Sequence, residues 1–220
     1  MEIDKILAVS ILVNRGNAFT MNALYSMAVS NLDKWGLHIK ERMAIDYDWK
    51  EEDRVFIEFA IQEDLSEDFQ TYFYKSAFLI IYAESESAIN KYIECLSGIL
   101  YKETHIKSYR SVWQRFQTIL ESSGLSELKQ LSSNINWSDF NAYRLIRNSI
   151  AHTNHISTKN EAIMNYIMLN KDKIELNHTA QIKSAFIEKF MEDIANIDEL
   201  LLQHLRNEYF KKTGFSLREI

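Results

Sequence analysis

Proline is missing from all 220 residues and glycine occurs only five times, so the residues that stop helices and shape hairpin turns are scarce from end to end. A chain with so little punctuation favours long helices. Its length suits one well-buried core. With 46% apolar and 25% charged residues, the composition is that of a globular protein and not of a disordered one. The expectation is an all-α, up-and-down helical bundle forming a single domain over residues 1–220, with no internal repeat or flexible linker.

Helical periodicity supports this segment by segment. Residues 6–13 read as a core helix, too short to span a bilayer and without the marks of a signal peptide. Between residues 17 and 40, Phe19, Leu24, Met27, Ala28 and Leu32 fall at helical spacing. Residues 51–61 open with three acids, which suit the positive end of a helix dipole. A longer helix is expected over residues 68–99, its face formed by Phe73, Ala77, Ile80, Ile81, Ala88, Tyr92, Cys95 and Ile99. A domain split at residues 64–68 is the competing division. A further helix over residues 109–121 is closed by Ser122, Ser123 and Gly124, and a polar loop follows near residues 132–136. Ser138 and Asp139 then read as the N-cap and first turn of a helix with Phe140, Tyr143, Ile146 and Ile150 on one stripe. After a loop over residues 153–160, residues 166–176 are the one place for a small β-hairpin. A clear amphipathic helix ends the pattern over residues 179–211, with Ile182, Phe186, Phe190, Ile194, Ile197, Leu201, Leu205 and Tyr209 in register.

The one chemically pointed string is Arg147-Asn148-Ser149-Ile150-Ala151-His152. On an ideal helix, at about 100° per residue, Asn148 and His152 lie together away from the apolar stripe, with Arg144 beside Asn148. Arg147 projects from the margin of that stripe, where its stem is covered and its guanidinium can reach out. An imidazole that titrates near neutrality, a forked permanent cation and an amide make a phosphate-handling set. The same residues would also be ordinary on a solvated face, since a histidine near a helix C-terminus is favoured by the dipole alone.

This segment resembles the HEPN superfamily, whose ribonuclease members carry an arginine, a polar residue, three variable residues and a histidine. Arg147, Asn148 and His152 match that pattern in order and spacing. The resemblance covers about residues 68–211, with residues 1–67 as an N-terminal helical addition. It implies a metal-independent endoribonuclease without cofactor, in which the RNA 2′-hydroxyl attacks the adjacent phosphate. His152 would move protons, Arg147 would hold the phosphate and Asn148 would orient one of them. The resemblance also implies a homodimer that joins two such sets in one cleft, and a toxin or anti-phage role, with an antitoxin or other partner protein. A catalytically inactive HEPN-like module that binds a partner protein or nucleic acid is the alternative.

The net charge of −6 excludes a broad basic surface for coating nucleic acid but leaves room for a local basic pocket. One cysteine, Cys95, allows no internal disulfide and fits a cytoplasmic protein, and no Cys/His cluster has zinc-finger spacing. Cys95 itself reads as a structural thiol. Glu84 and Glu86 interrupt the long middle helix, where one of them can pair with Arg144 or Arg147. His155 is a second histidine near the site but reads as a surface residue. The aromatics Tyr72, Phe73, Tyr74 and Phe78 fit core packing better than base stacking. Lys102, His105, Lys107 and Arg110 form a short basic cluster that reads as a solvated helix start.

Overall fold

The structure is a computed structural model that describes residues 16, 22–30, 51–100, 111–122, 126–176 and 180–213, with residues 51–69, 97–100, 127, 205, 206 and 208–213 described as backbone only. The described chain is all-α apart from one two-stranded antiparallel sheet. In chain order the elements are α1 (Glu51–Leu100), α2 (Val112–Ser122), α3 (Ser126–Ser133), α4 (Trp137–Thr153), α5 (Glu161–Leu169), β1 (Ile174–Leu176), β2 (Ala180–Ile182) and α6 (Ser184–Thr213). The helix expected over residues 6–13, the basic cluster at residues 102–110 and the stop at Ser123 and Gly124 lie outside the described residues.

Where proline and glycine are scarce, a helix has little reason to end. The two helices expected over residues 51–61 and 68–99 are accordingly one 50-residue helix, α1, which passes through residues 64–68 without a break. At 1.5 Å per residue it is about 75 Å long. Its packed stripe runs through Phe78, Ile81, Tyr82, Ser85, Ile89, Tyr92 and Leu96. The expected face is corrected at Ile80, which is 56% exposed, while Phe73, Ala77 and Cys95 pack partly buried against the core. Residues 22–30 are helical as expected, but Tyr25 and Val29 face the core while Leu24 and Met27 are exposed. Tyr25 stacks on Phe73, with ring centroids 6.1 Å apart.

The core forms where α1, α4 and α6 meet. Phe78 of α1 lies 4.9 Å from Phe186 and 5.4 Å from Phe190 of α6, and Tyr143 of α4 lies 4.9 Å from Phe190. These are the edge-to-face arrangements that ring quadrupoles prefer. The α4 stripe is as the periodicity predicts, with Phe140, Tyr143, Ile146 and Ile150 all buried. On α6 the spacing places Phe186, Phe190, Ile194, Ile197 and Leu201 in the core, but the helix begins at Ser184, so Ile182 belongs to β2 instead, and the side chains of Leu205 and Tyr209 lie outside the described residues. Two tyrosine hydroxyls buried with them are paired, whereas that of Tyr25 has no partner among the described residues. The Tyr92 hydroxyl donates to Asp198 Oδ1 at 2.9 Å, and the Tyr143 hydroxyl to Asp193 Oδ2 at 2.7 Å.

Three local expectations are corrected. Helix α4 begins at Trp137, so Asn136 occupies the N-cap position and Ser138 lies inside the first turn, its hydroxyl donating to Asn136 Oδ1 at 2.7 Å. Helix α3 takes up the first part of the stretch expected as a loop, burying Leu128, Leu131 and Ser132. The hairpin exists, but its strands are residues 174–176 and 180–182, paired Ile174 to Ile182 and Leu176 to Ala180. Residues 166–169 belong to α5 instead. A run of four apolar residues fits either period, and the decision is made upstream, where Asn160 Oδ1 accepts from the backbone N–H groups of Ala162 and Ile163.

Candidate functional site

Helix α4 positions the hexapeptide by burying its apolar stripe, which leaves Arg147 and Asn148 half-buried and His152 exposed in the last turn. The helix ends on Asn154, which is left-handed at φ 56° and donates its N–H to the Ile150 carbonyl at 2.9 Å. Asparagine tolerates this conformation better than other side chains that carry a Cβ. Lys75 of α1 then donates to the Asn154 carbonyl at 2.9 Å. The end of the motif helix is thereby tied to the long helix.

Ser149, the middle of the motif, shapes the chain that follows. Its hydroxyl donates to the His155 carbonyl at 2.7 Å and accepts from the Ser157 N–H at 2.8 Å. Thr153 Oγ1 adds a bond to the same carbonyl at 3.0 Å. An isolated bridge from Ile156 to Ala180 joins this loop to β2. The loop beside His152 is thus held by the motif helix on one side and by the hairpin on the other. His155 itself is exposed.

Arg147 turns towards α1. Its guanidinium carbon lies 5.8 Å from the centre of the Tyr82 ring, and Nη1 donates to Asn148 Oδ1 at 3.0 Å. The Tyr82 hydroxyl accepts from Trp113 Nε1 of α2 at 2.8 Å. One turn along α1 from Tyr82 stands Glu86, half-buried, while Glu84 faces solvent. Burial raises the Glu86 carboxyl above the usual carboxylate range, and Arg147, the Tyr82 hydroxyl and Arg115 oppose that rise. Burial and the Glu86 charge likewise push the Tyr82 phenol up, against the Trp113 hydrogen bond and the charges of Arg147 and Arg144. Arg144, expected beside Asn148, donates through Nη2 to Asn141 Oδ1 at 2.8 Å.

The structure therefore joins Arg147 to Asn148 and places Arg147 next to Tyr82 and Glu86. It does not bring His152 into that contact: among the described residues no hydrogen bond links His152 to Arg147 or Asn148. Tyr82, Trp113, Arg115 and Lys75 are neighbours that sequence spacing alone did not identify. They come from α1 and α2, distant in the chain, and only the influence of Arg147 on Glu86 had a signal, an acid interrupting an apolar face. Among the described residues no three His, Cys, Asp or Glu side chains gather as a metal site would require, and no helix is long and apolar enough to cross a membrane. No family model matches the chain, and neither a curated protein nor a solved structure is significantly similar to it.

Proposed function

We propose that the chain is a HEPN-like, metal-independent endoribonuclease that acts as a homodimer. The observation that carries this reading is the arrangement on α4: a half-buried arginine steadied by the adjacent Asn148 amide, with an exposed histidine one turn beyond that asparagine. Phosphodiester cleavage by an internal nucleophile needs a base for the 2′-hydroxyl, an acid for the leaving 5′-oxygen and a cation for the charge that grows on the phosphate. The 2′-oxygen bonds to phosphorus as its proton passes to a base, and the phosphorus–5′-oxygen bond breaks as that oxygen takes a proton. The products are a 2′,3′-cyclic phosphate and a 5′-hydroxyl. Arg147 is the cation, and His152 from each of two protomers supplies base and acid. Asn148 holds the guanidinium in place.

Incubating cellular RNA with the protein in EDTA tests this directly. Cleavage is expected, leaving cyclic phosphate ends, and is expected to be lost in His152→Ala. Cleavage of equal rate in that variant overturns the assignment. A second reading has its own support: Arg147 already engages Tyr82 inside the protomer and offsets the Glu86 charge. That suits an inactive HEPN-like module binding a partner protein or nucleic acid, and intact RNA in the same assay favours it. On the ribonuclease reading, a toxin or anti-phage effector working in the cytoplasm, restrained by an antitoxin, is the corresponding biological role.

A further inference from the structure

Three arginines share an arrangement that proton transfer at His152 does not require. Each is oriented by the side-chain oxygen of a neutral asparagine: Arg115 Nη2 donates to Asn90 Oδ1 at 2.6 Å, Arg144 Nη2 to Asn141 Oδ1 at 2.8 Å and Arg147 Nη1 to Asn148 Oδ1 at 3.0 Å. An amide oxygen fixes a guanidinium without cancelling its charge, and leaves most of its five N–H donors for another acceptor. Among the described residues none of the three lies within ion-pair distance of a carboxylate.

Two of these cations border one stripe of α1. Arg147 lies over the Tyr82 ring and Arg115 is bound to Asn90, eight residues further along the same face. Glu86 sits midway, one turn from each. Arg144 is three residues before Arg147 on α4 and on the neighbouring surface. The bonds that hold Arg115 and Arg147 are part-buried, where charge interactions are stronger than in open water, whereas the Arg144–Asn141 bond is exposed. Arg147 and Arg115 thus both act on the Glu86 carboxylate, and Arg144 acts with Arg147 on the adjoining Tyr82, leaving an excess of positive charge on a chain whose net charge is −6.

We propose that Arg115, Arg144 and Arg147 form an oxyanion site that takes a phosphodiester group of an RNA strand, with Glu86 as the internal counter-ion that the phosphate replaces. Guanidinium groups match phosphate oxygens through paired N–H donors, and prior orientation by the asparagines lowers the entropy lost on binding. Glu86 suits replacement because burial already disfavours its charged form. The identity of the strand rests on the ribonuclease reading, since Arg147 and His152 share α4, whereas the anion site itself does not depend on catalysis.

A 2′-O-methyl oligoribonucleotide separates the two, because it carries the phosphates but cannot be cut by its own 2′-oxygen. Binding is measured by fluorescence anisotropy at low salt, with circular dichroism confirming that each variant keeps its helicity. Arg115→Gln and Arg144→Gln are each expected to weaken binding about tenfold, the loss of one charge-assisted contact. Glu86→Gln is expected to tighten it several-fold, and an oligomer with uncharged methylphosphonate linkages is expected not to bind. Unchanged affinity in both folded arginine variants overturns the site, even if natural RNA is still cleaved. Weakening in both, with natural RNA left intact, supports the site and overturns the ribonuclease reading instead. Tighter binding of a phosphoserine peptide than of the oligomer overturns RNA as the ligand.

Discussion

His152 and Arg147, five residues apart on one helix, stand in opposite energetic positions. His152 is exposed and makes no hydrogen bond among the described residues, so His152→Ala is expected to change stability by no more than about 0.5 kcal/mol, as surface substitutions usually do. Arg147→Ala removes a cation lying over Tyr82, strips Asn148 of a donor and takes from Glu86 the positive charge that most opposes its burial. A loss of about 1–2 kcal/mol is expected from the stacked and hydrogen-bonded group. Urea denaturation of the two variants checks the contrast, and equal losses would contradict this account of the motif. Tyr143 is a third residue whose part is set by packing. Its hydroxyl donates to Asp193, which also accepts from Lys189 Nζ at 2.6 Å, so Tyr143→Phe leaves a half-buried carboxylate short of one donor. A cost of about 1–3 kcal/mol is expected in the same measurement. The burial of Tyr143 was legible from its place in the α4 stripe. Its partner was not, because Asp193 reads in sequence as an ordinary exposed position on an amphipathic helix.

At the level of elements, legibility followed the strength of the period. Helices α4 and α6 carry apolar residues at three- and four-residue intervals over several turns, and Phe140, Tyr143, Ile146 and Ile150 on α4 and Phe186, Phe190, Ile194, Ile197 and Leu201 on α6 are buried as that spacing marks them. Helix α3 has only Leu128 and Leu131 to announce it, too little for a period to be read. The second half of helix α5 reads as a strand because Tyr166, Ile167, Met168 and Leu169 form a continuous apolar run, whereas the helix buries Ile163, Tyr166 and Ile167. What distinguishes it as a helix is the cap. Asn160 Oδ1 accepts from Ala162 and Ile163 and so satisfies two N–H groups that the helix start leaves open. Asn160→Ala is expected to cost about 1 kcal/mol, seen as a lower melting temperature, whereas Asn160→Asp, which keeps the acceptor, is expected to lose little. The site was legible to the same degree as its helix. The motif residues are local to α4, but the cations and the carboxylate around them arrive from α1 and α2 through the tertiary fold.

Across the whole molecule, α4 is fastened to α6 through a group of charges that sets how stability responds to pH. Asp139, in the first turn of α4, has its carboxyl raised above the usual range, first by burial and then by the neighbouring charge of Asp193, while Lys189 and Lys173 act the other way. Lys189 in turn holds Asp193 by an ion pair at 2.6 Å and lies 3.6 Å from Glu192. An acid that binds its proton more tightly in the folded chain than in the unfolded one stabilises the fold below its ordinary pKa. That contribution disappears as the pH rises through the folded value. Asp139 should therefore favour the fold at about pH 4 more than at pH 7. Asp139→Asn has no proton to lose, so the variant should gain on the parent protein as the pH is raised across this window. The gain is modest in size because Asp139 is only partly buried and solvent screens its neighbours. Thermal melts of both proteins at the two pH values provide the check. A gap in melting temperature that moves towards the variant at neutral pH agrees with the crowding of Asp139 against Asp193. A gap that stays constant, or that moves towards the parent, would mean that Lys189 and Lys173 outweigh burial at the junction of α4 and α6.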